Sequence, residues 1–249
     1  MDMTGNTILI TGGGSGIGRA LAEALHARGN KVILSGRRAG ALEAVAAANP
    51  GMVTATLDVS DPADIARFAA EIVAAHPDLN VVIHNAGIMQ AETLAAPGSD
   101  LAIAEATIAT NLLGPLRLNA ALLPHLLARP SATVITVSSG LAFVPLTLTP
   151  TYGATKAAIH SWSQSLRYQL RDTNVEVIEI VPPAVATDLM PGHAEDPNSM
   201  PLADYIAETM AQLEAGAPEN LTERVKFLRF AEARGDYEKV FAVLNGGAH

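Results

Sequence analysis

Thr7-Ile-Leu-Ile-Thr11-Gly-Gly-Gly-Ser15-Gly-Ile-Gly18 runs a short β-branched segment into a glycine-rich turn, and a helix-length segment near 17–28 follows. Glycines at such a junction let the backbone turn tightly and approach a pyrophosphate closely. The helix beyond offers unpaired amides and a partial positive charge at its N-terminus. Strand, glycines and helix in that order predict a nucleotide-binding turn contacted through Gly12, Gly14, Ser15, Gly16, Ile17 and Gly18.

Outward from this turn, short apolar runs alternate with alanine-rich helical segments. The runs are Thr7–Ile10, Lys31–Ser35, Met52–Leu57, Val81–His84, Thr133–Val137 and Val175–Ile180. They are apolar throughout rather than alternating, as strands buried on both faces of a parallel sheet are. Helix-length segments near 39–48, 62–76, 100–128 and 152–171 lie between them, with Asp61-Pro62 a start signal and Gly29-Asn30 a stop signal. The alternation predicts an α/β fold, a single domain over 1–249 with a doubly wound, mainly parallel sheet flanked by helices. The last third is less regular. Pro182-Pro183 stops a strand, 188–202 is rich in proline and glycine, and amphipathic stretches follow near 203–215 and 219–234. Tyr237–Leu244 reads equally as strand or helix.

Composition narrows the function classes. The chain is 49% hydrophobic and 16% charged, which marks a folded globular protein. A net charge of −9 argues against a general affinity for nucleic acid or anionic membrane. The absence of cysteine excludes disulfides, thiolate nucleophiles and cysteine-ligated metals, and it fits a reducing compartment. The N-terminus lacks the basic start and apolar run of a signal peptide, and no stretch is long enough to span a bilayer. The expectation is a soluble, cytoplasmic protein, with the sequon at Asn220 a chance match. The seven histidines show neither metal-ligand spacing nor a paired acidic partner, so no metal is expected.

At the end of the second run, Ser35-Gly36-Arg37-Arg38 has glycine where NAD-preferring folds place a ribose-binding carboxylate. Arg37 and Arg38 suit a 2′-phosphate, because the guanidinium fork donates bidentate hydrogen bonds. NADP(H) is therefore favoured over NAD(H). Asp58-Val59 follows the third run and is suited to the adenine amino group. Asn85-Ala86-Gly87 follows the fourth and puts small residues where backbone must pass close to the cofactor.

The chemistry resides in Tyr152-Gly-Ala-Thr-Lys156, with Ser139 thirteen residues upstream. Tyrosine and lysine four apart share a helix face, about 6 Å apart along the axis. An ammonium there favours the phenolate of a group that otherwise titrates near ~10. Ser139 can polarise a carbonyl oxygen with its hydroxyl. Together the three read as a carbonyl/alcohol redox centre.

These motifs in this order resemble the short-chain dehydrogenase/reductase family over residues 5–190: the glycine turn, Asn85-Ala86-Gly87, Asn111, Ser139, Tyr152, Lys156 and Pro182 through Thr187. The resemblance implies a Rossmann fold and hydride transfer with a nicotinamide cofactor. It makes Tyr152 the general acid in reduction and has Lys156 lower its pKa and hold the nicotinamide ribose. Ser139 would position the substrate oxygen, the spacing to Tyr152 favouring it over Ser138. Asn111 would break a long helix and hold a water leading from Lys156. Pro182, Thr187 and the Val185 backbone would meet the nicotinamide. Departures are His84, where the family often has asparagine, and Pro183, where it often has glycine. The glycine-rich close after a seventh strand is poorly matched by Asn245-Gly246-Gly247.

Leu141, Phe143, Val144, Pro145, Leu146 and Leu148 make the segment between serine and tyrosine apolar, with no cation to hold a carboxylate or phosphate. The expected small-molecule substrate is a hydrophobic carbonyl compound or secondary alcohol, its pocket lined by Leu141, Phe143, Leu146 and Met190. Residues 188–215, with Met190, Met200 and Met210, are expected to form a mobile cover. A homodimer or homotetramer is expected through broad apolar faces bearing Leu112, Leu116, Ile159, Trp162 and Leu166. The competing readings are a non-catalytic dinucleotide-sensing regulatory protein and an epimerase with bound cofactor.

Overall fold

The computed structural model describes residues 1–95 and 101–246. Among the described residues, seven strands form one sheet: β1 (Thr7–Thr11), β2 (Lys31–Gly36), β3 (Val53–Thr56), β4 (Leu79–His84), β5 (Ala132–Val137), β6 (Val175–Val181) and β7 (Glu219–Leu221). Their order is β3-β2-β1-β4-β5-β6-β7, and every pairing is parallel. The order reverses between β1 and β4. In such sheets a crevice opens at that point beyond the carboxyl ends of the strands, where ligands bind.

Each central strand feeds two cores because its residues alternate between faces. Ile8 and Ile10 of β1 point one way, into a core with Leu21 and Leu25 of α1 (Gly16–Ala27) and Tyr205 and Leu213 of α7 (Leu202–Glu214). Leu9 points the other way, toward Phe68 and Ile72 of α3 (Pro62–Ala75) and Leu118 and Leu122 of α5 (Gly114–Leu127). Both faces of the central strands are thus covered, which is why Ile8–Ile10, Val32–Leu34 and Val81–Ile83 are apolar throughout. The remaining helices are α2 (Ala39–Ala48), α4 (Ala102–Ile108), α6 (Pro150–Leu170), α8 (Glu223–Arg229), α9 (Ala231–Arg234) and α10 (Tyr237–Asn245). Asp61 caps α3 as its place before Pro62 predicts, accepting from the Ala63 N–H at 2.8 Å.

The structure corrects some of these expectations and decides others that the sequence leaves open. The segment near 100–128 is one helical path interrupted by a π-helical turn at Ala109–Leu113, and its residue 100 lies outside the described residues. The stretch near 219–234 begins with β7 before helix resumes at α8, because Asn220, 1% exposed, fastens the strand by donating to Thr209 O at 3.0 Å. Tyr237–Leu244 is helical, with Val240 buried against Val144 and Ala231. Ile159 and Leu166, expected on a partner surface, are buried within the chain itself. Asn245 closes α10 rather than following a strand, and Gly247 lies outside the described residues. Among the described residues no helix is long and apolar enough to cross a membrane.

Candidate active site

The glycine turn is shaped by contacts that a side chain would break. Gly12 has φ +70°, and a Cβ there would meet Asn85 Nδ2 at 2.9 Å and Ala86 Cα at 3.0 Å. A Cβ on Gly18 would come within 2.4 Å of the Gly12 carbonyl oxygen. Thr11 ties the turn to β4: its Oγ1 accepts from Asn85 N and Ala86 N, both at 3.0 Å. Asn85 Nδ2 donates to Thr11 O at 3.0 Å, so this side chain is committed to holding the turn. Gly14 packs toward Ala41 of α2, and half-buried Ile17 packs against the first core.

Helix α1 opens with Ser15 making no side-chain cap and with no acidic residue in its first turn. Its first amides are therefore available to an anion, aided by the helix dipole. Gly16, at φ +53°, faces Thr187 across 3.6 Å from its would-be Cβ. Thr187 in turn donates to Val185 O at 3.4 Å, and buried Val185 is held by bridging to Met200. Pro182 O accepts from Gly140 N at 2.8 Å. These features fit a dinucleotide: a bare backbone cradle, free helix amides and a facing wall. No carboxylate ends β2, where Gly36 stands. Arg37 and Arg38 are exposed, and Arg38 reaches over the turn to donate to Ser15 Oγ at 3.3 Å. Asp58 spends one carboxylate oxygen on Ser60, accepting from its N at 2.9 Å and its Oγ at 2.7 Å. Val59 is buried, its carbonyl crowding the position a Cβ on Gly114 would take at 2.6 Å.

The proton-handling groups meet beyond the carboxyl end of β5. Ser139 begins a short 3-10 turn at Gly140–Ala142, its Oγ accepting from Leu141 N at 3.1 Å and hydrogen-bonding Tyr152. Ser138 is turned away, its N–H donating to Ile180 O at 2.9 Å. Tyr152 and Lys156 lie on α6, 7% and 5% exposed. The Lys156 ammonium donates to Val137 O at 2.8 Å and sits 5.4 Å from the Tyr152 ring centroid. Burial governs both groups. It pushes Tyr152 up to about 12, opposed by the Ser139 hydrogen bond, and brings Lys156 down to about 8. The phenol is thus held protonated, not drawn toward phenolate as the Tyr–Lys spacing alone suggests.

Lys156 gives a pH signature. Between about 8 in the fold and 10.5 for a free lysine, the unfolded chain binds more protons than the folded one. Its contribution to stability therefore rises with pH across that window, by at most about 1.4 kcal/mol per pH unit. Lys156→Met removes this rise. Urea midpoints of variant and wild type should differ most near neutral pH and converge toward pH 10, whereas parallel profiles would contradict the burial argument.

Asn111 lies in the π-helical turn and is 1% exposed. Its Oδ1 accepts from Ile88 N at 2.9 Å and its Nδ2 donates to Ile88 O at 2.8 Å, which fixes the backbone just after Gly87. His84, at the end of β4, is 4% exposed, and burial pushes its imidazole down to about 4.

The expected pocket residues are less united. Leu141 and Leu146 are half-buried on the segment joining Ser139 to Tyr152, and Met190 is half-buried further along. Phe143 is sandwiched, with the His160 ring edge-on at 4.7 Å and the Arg229 guanidinium at 4.6 Å. Val144 is a core residue, and Met200 and Met210 belong to the first core, which limits any covering role to the irregular part before them. His160 does have an acidic partner, against the sequence expectation: its Nδ1 lies 2.8 Å from buried Glu179. Glu219 is adjacent but held by Arg229 at 2.6 Å. The pairing joins residues on α6 and β6 and leaves no spacing signal.

The C-terminal helices were also unforeseen as part of this site. A Cβ on Gly140 would meet Leu228 and Val225 of α8 at 2.8 and 2.9 Å. Asn245 grips the loop below Tyr152, accepting from Thr147 N at 2.7 Å and donating to Pro145 O at 3.1 Å.

A profile of the short chain dehydrogenase family matches residues 6–198. The chain is 39% identical over 249 residues to a Bacillus subtilis (strain 168) protein described as uncharacterized oxidoreductase DltE, covering 98% of each. It is similar to a short chain dehydrogenase from Burkholderia cenocepacia J2315 solved in complex with NADP, with TM-score 0.84, 26% identity and coverage of 98% and 99% of the two chains. A Burkholderia phymatum short chain dehydrogenase/reductase solved with NAD shares the fold at TM-score 0.81 and 20% identity, with coverage of 96% of each.

Proposed function

The chain belongs to the short chain dehydrogenase family of oxidoreductases, and from that premise we propose that it interconverts a small hydrophobic ketone or aldehyde and its alcohol, with NADP(H) preferred. The observation that carries this reading is the gathering of Ser139, buried Tyr152 and buried Lys156 beyond the carboxyl end of β5, with the Lys156 ammonium 5.4 Å from the centre of the phenol ring. When bound, the dinucleotide supplies or accepts the hydride. In the reducing direction Tyr152 gives its phenolic proton to the carbonyl oxygen as the carbon becomes tetrahedral. Ser139 holds that oxygen by donating its hydroxyl hydrogen. The phenolate left on Tyr152 is stabilised by the Lys156 ammonium, and Lys156, lowered to about 8, is well matched to return a proton near neutral pH. In oxidation the same groups act in reverse.

The pyrophosphate would rest on the Gly12–Gly18 turn and the free amides of α1. Leu141 and Leu146 offer the apolar wall for the substrate, and the segment before Met200, with Met190, a cover over it. The preference for NADP rests on Arg38 above Ser15 and on Gly36 in place of a carboxylate. Losing a charge-assisted hydrogen bond costs about 1.5–3 kcal/mol. Arg38→Ala should therefore weaken NADPH roughly 10- to 100-fold in a fluorescence titration while NADH binding is unchanged. Arg37→Ala should act in the same direction but less, since Arg37 is not drawn to the turn. Equal losses for both cofactors would remove the phosphate assignment.

A further inference from the structure

Helix α6 carries both Tyr152 and Lys156, yet it does not cap itself. Its N-cap residue Thr149 makes no side-chain cap; it is 0% exposed, and its hydroxyl has no partner among the described residues. The cap comes from 59 residues upstream: Glu92 Oε1 accepts from Thr151 N at 3.1 Å and Oε2 accepts from Thr151 Oγ1 at 2.8 Å. The Glu92 N–H also donates to Leu148 O at 3.0 Å. At its other end the same short segment is gripped by Asn111 through both backbone groups of Ile88. Residues 88–92 therefore form a strap from the π-helical turn to the residue preceding Tyr152.

We propose that Glu92 is a positioning residue for Tyr152, supplying from another part of the chain the N-terminal cap that α6 lacks; this rests on the reading of Tyr152 as proton donor given above. An N-cap acceptor fixes the orientation of the first turn by satisfying its free N–H groups. A carboxylate does this with the added favour of the helix dipole. Tyr152 is the next residue along, so freedom in the Thr151 backbone becomes freedom in the phenol relative to Ser139. The bond also couples the strap to catalysis: motion of residues 88–92 is felt at the proton donor.

The test compares Glu92→Ala, Glu92→Gln and Thr151→Val in the full chain, by residue-resolved amide hydrogen exchange and by NADPH-dependent reduction of hydrophobic ketones. Glu92→Ala should speed exchange at Thr151–Gly153 about tenfold, the scale of a lost cap, with β5 unchanged. It should lower kcat by a similar factor at unaltered NADPH affinity. Glu92→Gln, whose amide oxygen still accepts from Thr151 N, should recover most of both, and adding Thr151→Val to Glu92→Ala should cost less than the sum of the two. Unchanged exchange at Thr151–Gly153 would overturn the proposal, as would a kcat loss matched by equal weakening of NADPH and faster exchange throughout β5. If the wild-type chain reduces no ketone, the functional reading fails, and the exchange result still decides whether Glu92 holds this turn.

Discussion

Replacing Tyr152 by phenylalanine is expected to lower kcat by about 10²- to 10⁴-fold, the range that a positioned general acid contributes, with NADPH affinity kept. The substitution removes one oxygen from a side chain that is 7% exposed and leaves its ring in place against the Lys156 ammonium. Packing therefore changes little. What disappears is the proton source for the carbonyl oxygen and the partner of the Ser139 hydroxyl. A kinetic assay at saturating NADPH and ketone, beside a cofactor titration, reads both quantities. Turnover near the wild-type rate would remove Tyr152 from the proton transfer, and parallel loss of cofactor binding would point to a distorted crevice instead.

Gly18→Ala should weaken dinucleotide binding severely for a steric reason. The added methyl would lie 2.4 Å from both the Gly12 carbonyl oxygen and Asn85 Nδ2. The first is backbone, and the second is pinned to Thr11 O, so neither can give way cheaply. The turn must move away from α1, carrying the phosphate cradle with it. Overpacking of this kind costs about 1–3 kcal/mol of stability, and the displaced turn should weaken NADPH by about 100-fold or more, as the loss of several backbone contacts implies. Gly40→Ala is the matched control. A Cβ there meets nothing within 4 Å and the residue is helical, so it should be neutral or stabilise by about 0.5–1 kcal/mol. Thermal unfolding and an NADPH titration on the two variants separate these outcomes. Equal affinity for Gly18→Ala and wild type would show that the turn does not carry the nucleotide.

The sequence showed most clearly what is local. Six strands could be placed because each is a short run rich in apolar and β-branched residues, and the glycine turn because strand, glycines and helix are adjacent in the chain. Ser139, Tyr152 and Lys156 lie within eighteen consecutive positions, so their approach across one loop and one helix could be read from spacing. β7 escaped because it is three residues long and its central Asn220 is held by a side-chain bond rather than by apolar alternation. Glu92 and Asn245 escaped for a different reason. Their partners are 59 and about a hundred residues away in the chain, and one glutamate or asparagine gives no periodic signal. The pKa balance at Tyr152 was also hidden, since burial depends on tertiary packing whereas the Tyr–Lys spacing records only the opposing charge. His160 and Glu179 show the same limit, a pair joined across α6 and β6 by the fold alone.

The central claim is that Ser139, Tyr152 and Lys156 reduce a carbonyl group beside a bound dinucleotide. It is tested most directly by measuring NADPH consumed against alcohol formed, in a panel of hydrophobic ketones and aldehydes with the wild-type protein. The account predicts one alcohol formed per NADPH oxidised, with slower turnover when NADH is substituted at equal concentration. NADPH bound tightly but never oxidised by any carbonyl compound in the panel, or oxidised without alcohol appearing, would contradict it.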